Sequence, residues 1–194
     1  MNMQKKAETS VPIHPILQSR WSPRSFEPQA TISTEEMTAF LEAARWAPSS
    51  YNFQPWRFII SRQGDANFKK ICEALSGFNQ VWAPTASALV AVIVEQKTEG
   101  HIFPPIALFD TGLAVSQLTI EAHHRGFIVH QMIGFDKEKM NTTFDISGQR
   151  DCIVILAIGR QGSAENLPEG QARERESMPR ERKQLSELII AGDL

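Results

Sequence analysis

The chain is poor in cysteine: Cys72 and Cys152 are the only two in 194 residues. Neither lies in a C-x-x-C pair, which argues against a disulfide framework and a structural zinc site. Both sit among apolar neighbours and read as buried free thiols. No hydrophobic run is long. The longest, Ala83 to Val94, is interrupted by Pro84, Thr85 and Ser87, and falls far short of the ~20 residues of a membrane span. The start, Met1-Asn2-Met3-Gln4-Lys5-Lys6, carries charge with no apolar segment behind it, unlike a secretory signal. A cytoplasmic protein is therefore expected. Neither sign of charge dominates: 20 Lys and Arg against 22 Asp and Glu leave a net −2, which gives no global attraction for nucleic acid or an anionic membrane. There is no G-x-G-x-x-G and no G-x-x-x-x-G-K, so a Rossmann nicotinamide site or a P-loop is not supported. There is no G-x-S-x-G, which removes the nucleophile elbow of a hydrolase. The histidines do not form a ligand set. His14, His101 and His130 are isolated, while the neighbours His123 and His124 face apart on one helix, where metal pairs need a spacing of three or four. No metal site is expected.

What remains is an ordinary globular composition, 42% hydrophobic and 22% charged. The length suits one domain with a sizeable core. Residues 1–13 read as a flexible N-terminal arm and 14–194 as a single domain. A short helix is expected near Pro15–Arg20. Ser33 with Glu36 forms a capping box, followed by Met37, Phe40, Leu41 and Ala44 at helical spacing. Arg57–Ser61 reads as a strand. Asp65 reads as the cap of a helix whose apolar face is Phe68, Ile71, Cys72 and Leu75. Ser87–Glu95 is a strand buried on both faces. Ile106–Arg125 is the longest helix, apolar around most of its circumference and therefore central; Gly112, Ala114 and Ser116 leave room there for close approach of another element. Phe127–Val129 starts a further strand, Asp136–Met140 is a short helix, and Cys152–Ile158 is a third buried strand. Residues 161–184 are polar and charged, the Arg/Glu run 173–183 within them reads as a solvated segment, and Leu185–Ile190 reads as a last short helix or arm. Helices alternating with buried strands imply a helix-covered sheet in one unit.

Two segments carry the chemistry. In Arg20-Trp21-Ser22-Pro23-Arg24-Ser25-Phe26, the residues Arg20, Ser22 and Arg24 stand two apart, and Pro23 pushes Ser22 toward extended backbone. In an extended segment these three share one face, about 7 Å between neighbours. Two guanidiniums and a hydroxyl suit a terminal phosphate, whose oxygens match the forked donors of Arg. A solvated basic stretch is the plain alternative. The second segment, Ala47-Pro48-Ser49-Ser50-Tyr51-Asn52-Phe53-Gln54-Pro55-Trp56, crowds hydroxyls and amides between two prolines. Amides both donate and accept, as the carbonyl–NH–carbonyl edge of a flat heterocycle requires. A Pro- and Asn-rich surface loop is the plain alternative here. Tyr51, Phe53 and Trp56 suggest instead a loop packed against something.

With these segments, Gly126-Phe127 to Ile133-Gly134-Phe135 and the strand ending at Gly159, the chain resembles the FMN-dependent nitroreductase family over roughly residues 14–190. The resemblance implies an α+β fold with a central mixed, largely antiparallel sheet flanked by helices, in a domain-swapped homodimer with FMN at the subunit interface. It implies that Arg20, Trp21, Ser22 and Arg24 contact the phosphate and ribityl chain, and that Arg180 and Arg182 return to the phosphate. Pro48, Ser49, Ser50, Asn52 and Gln54 reach the flavin of the partner subunit. Asn79 meets the isoalloxazine or ribityl group, and Ile133 and Gly134 lie against the ring. Two departures stand out: His130-Gln131-Met132 replaces a turn in which many relatives carry proline, and the tract Gln96–Pro105 is unusual. The implied activity takes hydride from NADH or NADPH by a ping-pong mechanism and delivers it to nitroaromatic, quinone or related electron-poor acceptors such as enones. The flavin carries the chemistry, with no catalytic side chain. A flavin-binding protein of the same fold with a non-reductase role (redox sensor, flavin-consuming enzyme or modified-peptide dehydrogenase) is the alternative. A flavin-free module binding a phosphorylated or nucleic-acid partner is a third reading, set against the acidic net charge.

Overall fold

The computed structural model describes residues 4–96 and 104–192. Met1–Met3, His101 and most of the Gln96–Pro105 tract lie outside them. Four strands, β1 (Trp56–Arg62), β2 (Ala88–Glu95), β3 (Ile128–Met132) and β4 (Arg150–Gly159), form one sheet in the order β1-β2-β4-β3, with all three pairings antiparallel. The expected largely antiparallel sheet is thus present, and its order puts β2 and β4 at the centre. Seven of the eight β2 residues are buried, because both sheet faces are covered.

The alternation of side chains along β2 divides the core in two. Ala88, Val90 and Val92 face one cluster with Phe40, Leu118 and Phe127. Leu89, Ala91 and Ile93 face the other with Ile71, Trp82 and Met140. The first face is covered by α2 (Thr34–Arg45) and the central helix α5 (Pro104–His124). The second is covered by α3 (Ala66–Ala74), α4 (Asn79–Trp82) and α6 (Lys137–Thr143), while α1 (Pro15–Ser19) lies against α5. The α2 capping box forms as expected: Ser33 N–H donates to Glu36 Oε2 at 2.8 Å, and Glu36 N–H donates to Ser33 Oγ at 3.1 Å. Hydrogen bonding and the nearby arginines hold the Glu36 carboxyl below its ordinary range.

Several expectations change in detail. Asp65 stands at the start of α3, yet its carboxylate accepts from Arg62 N–H at 2.8 Å, closing the strand-to-helix turn rather than capping the helix. Ala114 faces the core, fully buried, whereas Gly112 and Ser116 are exposed one turn apart, in line with the exposed Leu108. The polar tract 161–184 is not wholly solvated. It contains a 3-10 turn at Ala164–Asn166 and a helix, α7 (Gln171–Ser177), which buries Ala172 and Glu176. The expected last helix is α8 (Leu185–Leu188). Within the N-terminal arm, Ala7 N–H donates to Gln18 O at 2.8 Å, and the Lys5 ammonium donates to Glu176 O.

The late tract returns to the early one. Phe26 bridges Gln161; Glu27 N–H donates to Arg160 O at 2.9 Å, and Gly162 N–H to Ser25 O at 3.0 Å. A Cβ at Gly162 would lie 2.5 Å from Phe26 O, a backbone atom that cannot swing aside. Gly162→Ala is therefore expected to lower stability by about 1–3 kcal/mol in urea denaturation. Unchanged stability would show that the junction gives way.

Candidate functional site

The segment Arg20–Ser25 has the predicted two-residue alternation: Trp21, Pro23 and Ser25 are buried, while Arg20, Ser22 and Arg24 are half-buried on the other face. Arg20 Nη1 reaches Ser22 Oγ at 3.5 Å. Two side chains from distant sequence fix its backbone. The buried Glu176 carboxylate accepts from Arg24 N–H at 2.9 Å and Ser25 N–H at 3.2 Å. His130 Nδ1 lies 3.0 Å from Pro23 O, and since a carbonyl only accepts, Nδ1 carries the proton. The His130 ring also packs on Trp82, with centroids 4.5 Å apart. Trp21 lies beneath the Lys5 ammonium at 4.4 Å.

This scaffold gathers positive charge and offsets it with Glu176 only at Arg24 and Lys5. Burial lowers the pKa of the Arg20 guanidinium, and Arg180 and Arg182 lower it further. Burial and Arg182 do the same to Arg180. Among the described residues, none of Arg20, Arg180 and Arg182 makes an ion pair. Arg180 Nη1 donates to Lys5 O at 2.7 Å and Gln18 O at 3.0 Å, so that end of it ties down backbone. Arg20, Ser22 and Arg182 open onto a cleft of about 510 Å³ that runs along α5 past Gly112 and Ser116. Concentrated guanidinium charge in a cleft attracts a multiply charged anion.

A second wall continues from Arg24. The Arg24 and Arg175 guanidiniums stand over the Phe78 ring at 5.9 and 4.6 Å. Next to Phe78, Asn79 Nδ2 donates to Gly134 O at 3.1 Å, and Ser76 N–H donates to the same oxygen at 3.1 Å. A Cβ on Gly134 would meet Asn79 Nδ2 at 2.7 Å, so any larger residue there would push the Asn79 amide aside. Ile133 is 85% exposed beside it. The His130-Gln131-Met132 departure is not a turn but the body of the edge strand β3, where Gln131 Nε2 donates to Thr119 Oγ1 at 3.2 Å.

The amide-rich segment lies elsewhere. Tyr51, Asn52 and Gln54 all have positive φ, at 49°, 59° and 50°. Such backbone costs on the order of 1–3 kcal/mol per non-glycine residue, least for Asn, and persists only where its surroundings impose it. Ser50 N–H donates to Asp110 Oδ2 at 2.9 Å, Gln54 N–H to Ser49 Oγ at 3.1 Å, and Gln54 Nε2 to Asn52 O at 2.9 Å. The Gln54 side chain thus braces the loop. Of its aromatics only Trp56 is buried; Tyr51 is 90% exposed. The loop sits by Asp110, early in α5, whereas Ser19, next to Arg20, meets His123 near the helix end at 2.9 Å. These two points are separated by about 20 Å of helix at about 1.5 Å per residue. Within one chain the two predicted segments therefore stand at different ends of α5. Pro48, Ser49, Ser50 and Asn52 are not brought to Arg20, Ser22 and Arg182.

Three supporting residues escape a motif search: Glu176, His130 and Asp110. Asp110 leaves one sequence trace, a lone carboxylate in the apolar run Ile106–Val115. Glu176 is hidden among alternating Arg and Glu. Burial raises the Cys72 thiol to about 11 and the Cys152 thiol to about 12, so both stay protonated and unreactive. No group of His, Cys, Asp and Glu that could hold a metal occurs among the described residues.

The family model described as "Nitroreductase family" matches residues 17–98. A solved structure described as an oxidoreductase containing FMN aligns at a TM-score of 0.88 and 31% identity, covering 100% of this chain and 98% of that one. A presumed NAD(P)H nitroreductase of Bacillus subtilis is 29% identical over 182 residues, 75% of this chain and 86% of that protein. The CLA biosynthesis enone reductase of Lactiplantibacillus plantarum is 25% identical over 184 residues, 75% of this chain and 83% of its own length.

His130 also supplies a pH test. Burial, and then the Arg24 charge, lower its pKa from 6.5 to about 4. Between those values the unfolded chain binds a proton that the folded chain refuses. The stabilisation is complete above pH 6.5 and is lost as pH falls toward 4. His130→Asn, which keeps a donor for Pro23 O, is expected to flatten that loss in denaturation curves taken from pH 7 to 4. An unaltered slope would assign the acid sensitivity to other groups.

Proposed function

The chain belongs to the nitroreductase family, and from that premise we propose an FMN-dependent oxidoreductase that takes hydride from NADH or NADPH and reduces electron-poor acceptors. Its residues fit FMN. The observation that carries the reading is the cluster of Arg20, Arg180 and Arg182, without an ion pair among the described residues, of which Arg20 and Arg182 open with Ser22 onto the cleft beside α5. A phosphate dianion there relieves the repulsion among the guanidiniums. Arg20, Ser22 and Arg182 hold it directly. Arg24 shields its side of the site over Phe78, Trp21 contributes through its backbone, and Arg180 braces from behind. Asn79, Ile133 and Gly134 flank the ring; the close Asn79–Gly134 contact keeps that wall free of a side chain. When bound, FMN would supply the hydride chemistry, so no acid or base of the chain would be needed.

The assembly is a homodimer. Pro48, Ser49, Ser50, Asn52 and Gln54 stand too far along α5 to serve the phosphate end of their own chain, and a second copy brings its loop to the flavin. Ile106, Leu108 and Phe109 on α5, 40%, 44% and 64% exposed, give such an interface its apolar area. With no separate nucleotide fold in the sequence, donor and acceptor would share one site in turn, which would give ping-pong kinetics. Nitroaromatics, quinones and enones are the acceptor classes, the last supported by the enone reductase relative. No helix among the described residues is long and apolar enough to cross a membrane. Two protonated free thiols suit a reducing cytoplasm, where we expect the protein to work.

Purified protein is expected to be yellow and to bleach on anaerobic addition of NADH or NADPH. A colourless protein that cannot be reconstituted with FMN would overturn the proposal. Arg20→Ala with Arg182→Ala removes two charged donors, each contributing ~1.5–3 kcal/mol. FMN affinity measured by flavin fluorescence on the apoprotein should fall at least about a hundredfold if the effects add. Unchanged affinity would place the phosphate anchor elsewhere.

A further inference from the structure

We propose that Asp110 is a positioning residue that presets the 49–54 loop for the flavin of the other protomer, through a contact with backbone alone. The inference rests on the reading above and adds to it a residue outside both sequence motifs. Asp110 is 4% exposed in the second turn of the central helix, and among the described residues no Lys, Arg or His pairs with it. A carboxylate so placed is costly to bury unless hydrogen bonds compensate it. The hydrogen bond in question is the one from Ser50 N–H, at 2.9 Å.

That N–H stands immediately before three residues of positive φ in four positions, Tyr51, Asn52 and Gln54. A chain free to relax leaves such conformations. Asp110 fixes the entry to this stretch. Ser49 Oγ, accepting from Gln54 N–H, closes it across the middle, and Arg57 Nη1 donates to Gln54 O at 2.8 Å at its exit. An anionic acceptor makes a stronger bond to a backbone N–H than a neutral one. The loop therefore keeps its hydroxyls and amides in one arrangement before any ligand arrives, and binding avoids the entropy loss of ordering them.

The test compares wild type, Asp110→Ala and Asp110→Asn as cofactor-free protein, by hydrogen exchange of the 47–56 peptide with β2 as internal control and by FMN titration. Wild-type amides at 50–54 should exchange slowly without FMN. Fast exchange there overturns the inference whether or not either variant folds. Asp110→Ala should raise exchange in the loop while β2 stays protected, and should weaken FMN at least about tenfold. Asp110→Asn, which keeps an acceptor oxygen, should stay within about threefold of wild type. Equal FMN affinity in Asp110→Ala, loss of protection in β2 to the same degree, or Asp110→Asn as weak as Asp110→Ala would each overturn it. If wild type binds no FMN at all, the functional reading fails, while the exchange measurement still decides the role of Asp110 in holding the loop.

Discussion

Arg180 and Arg182 lie close enough to Arg20 to lower its affinity for protons, Arg182 does the same to Arg180, and among the described residues no carboxylate pairs with the three. Like charges gathered in this way, Arg20 and Arg180 half-buried and Arg182 exposed beside them, must be held there by something else. Much of the architecture can be understood as that force. The extended Arg20–Ser25 segment presents one face because its other face, Trp21, Pro23 and Ser25, is packed into the protein. Its backbone is pinned by Glu176 from α7 and His130 from β3. The bridge between Phe26 and Gln161 brings the late tract alongside, and with it Arg180 and Arg182. The repulsion persists because the sheet and helices, stabilised by two hydrophobic clusters, outweigh it.

The chain spends its buried carboxylates in an unusual way. Glu176 and Asp110 are both almost fully enclosed, and each accepts hydrogen bonds from backbone N–H groups. In each case the backbone held is that of a segment rich in polar groups: the cationic strip in one, the strained amide loop in the other. A carboxylate bound to backbone N–H groups fixes main-chain geometry without ion-pairing to Arg20 or Arg182, and the Glu176 charge acts instead on Arg24 and Lys5. A salt bridge to Arg20 or Arg182 would have stabilised the fold more simply, and would have cancelled the charge that makes the cleft a place for a phosphate.

Several elements were legible in advance because their causes are local. The α2 capping box needs only Ser33 and Glu36 at the right spacing. The buried strands β2 and β4 announce themselves as unbroken apolar runs. The alternation in Arg20–Ser25 follows from Pro23. Other features were not legible. The helix α7 lies in a stretch whose Arg and Glu look solvated until Ala172 and Glu176 find a surface to cover. Asp65 looked like a cap, yet its carboxylate closes the turn at Arg62. Ala114 looked like part of a small-residue approach surface, yet it faces the core, because a helix has two sides and composition alone does not say which one the sheet will take.

The sequence by itself determined which groups are available: the arginines and serine at two-residue spacing, the run of hydroxyls and amides between Pro48 and Pro55, and the apolar periodicities that place them on connecting segments. These depend on residue type and separation along the chain, which are properties of the string. Tertiary structure alone decided which groups meet. It set Glu176 under Arg24, His130 against Pro23 and Asp110 beneath Ser50, and it parted the two motifs along α5. Such meetings join residues sixty to a hundred and fifty positions apart, and they arise from the burial of both sheet faces, a condition that no local window of sequence contains.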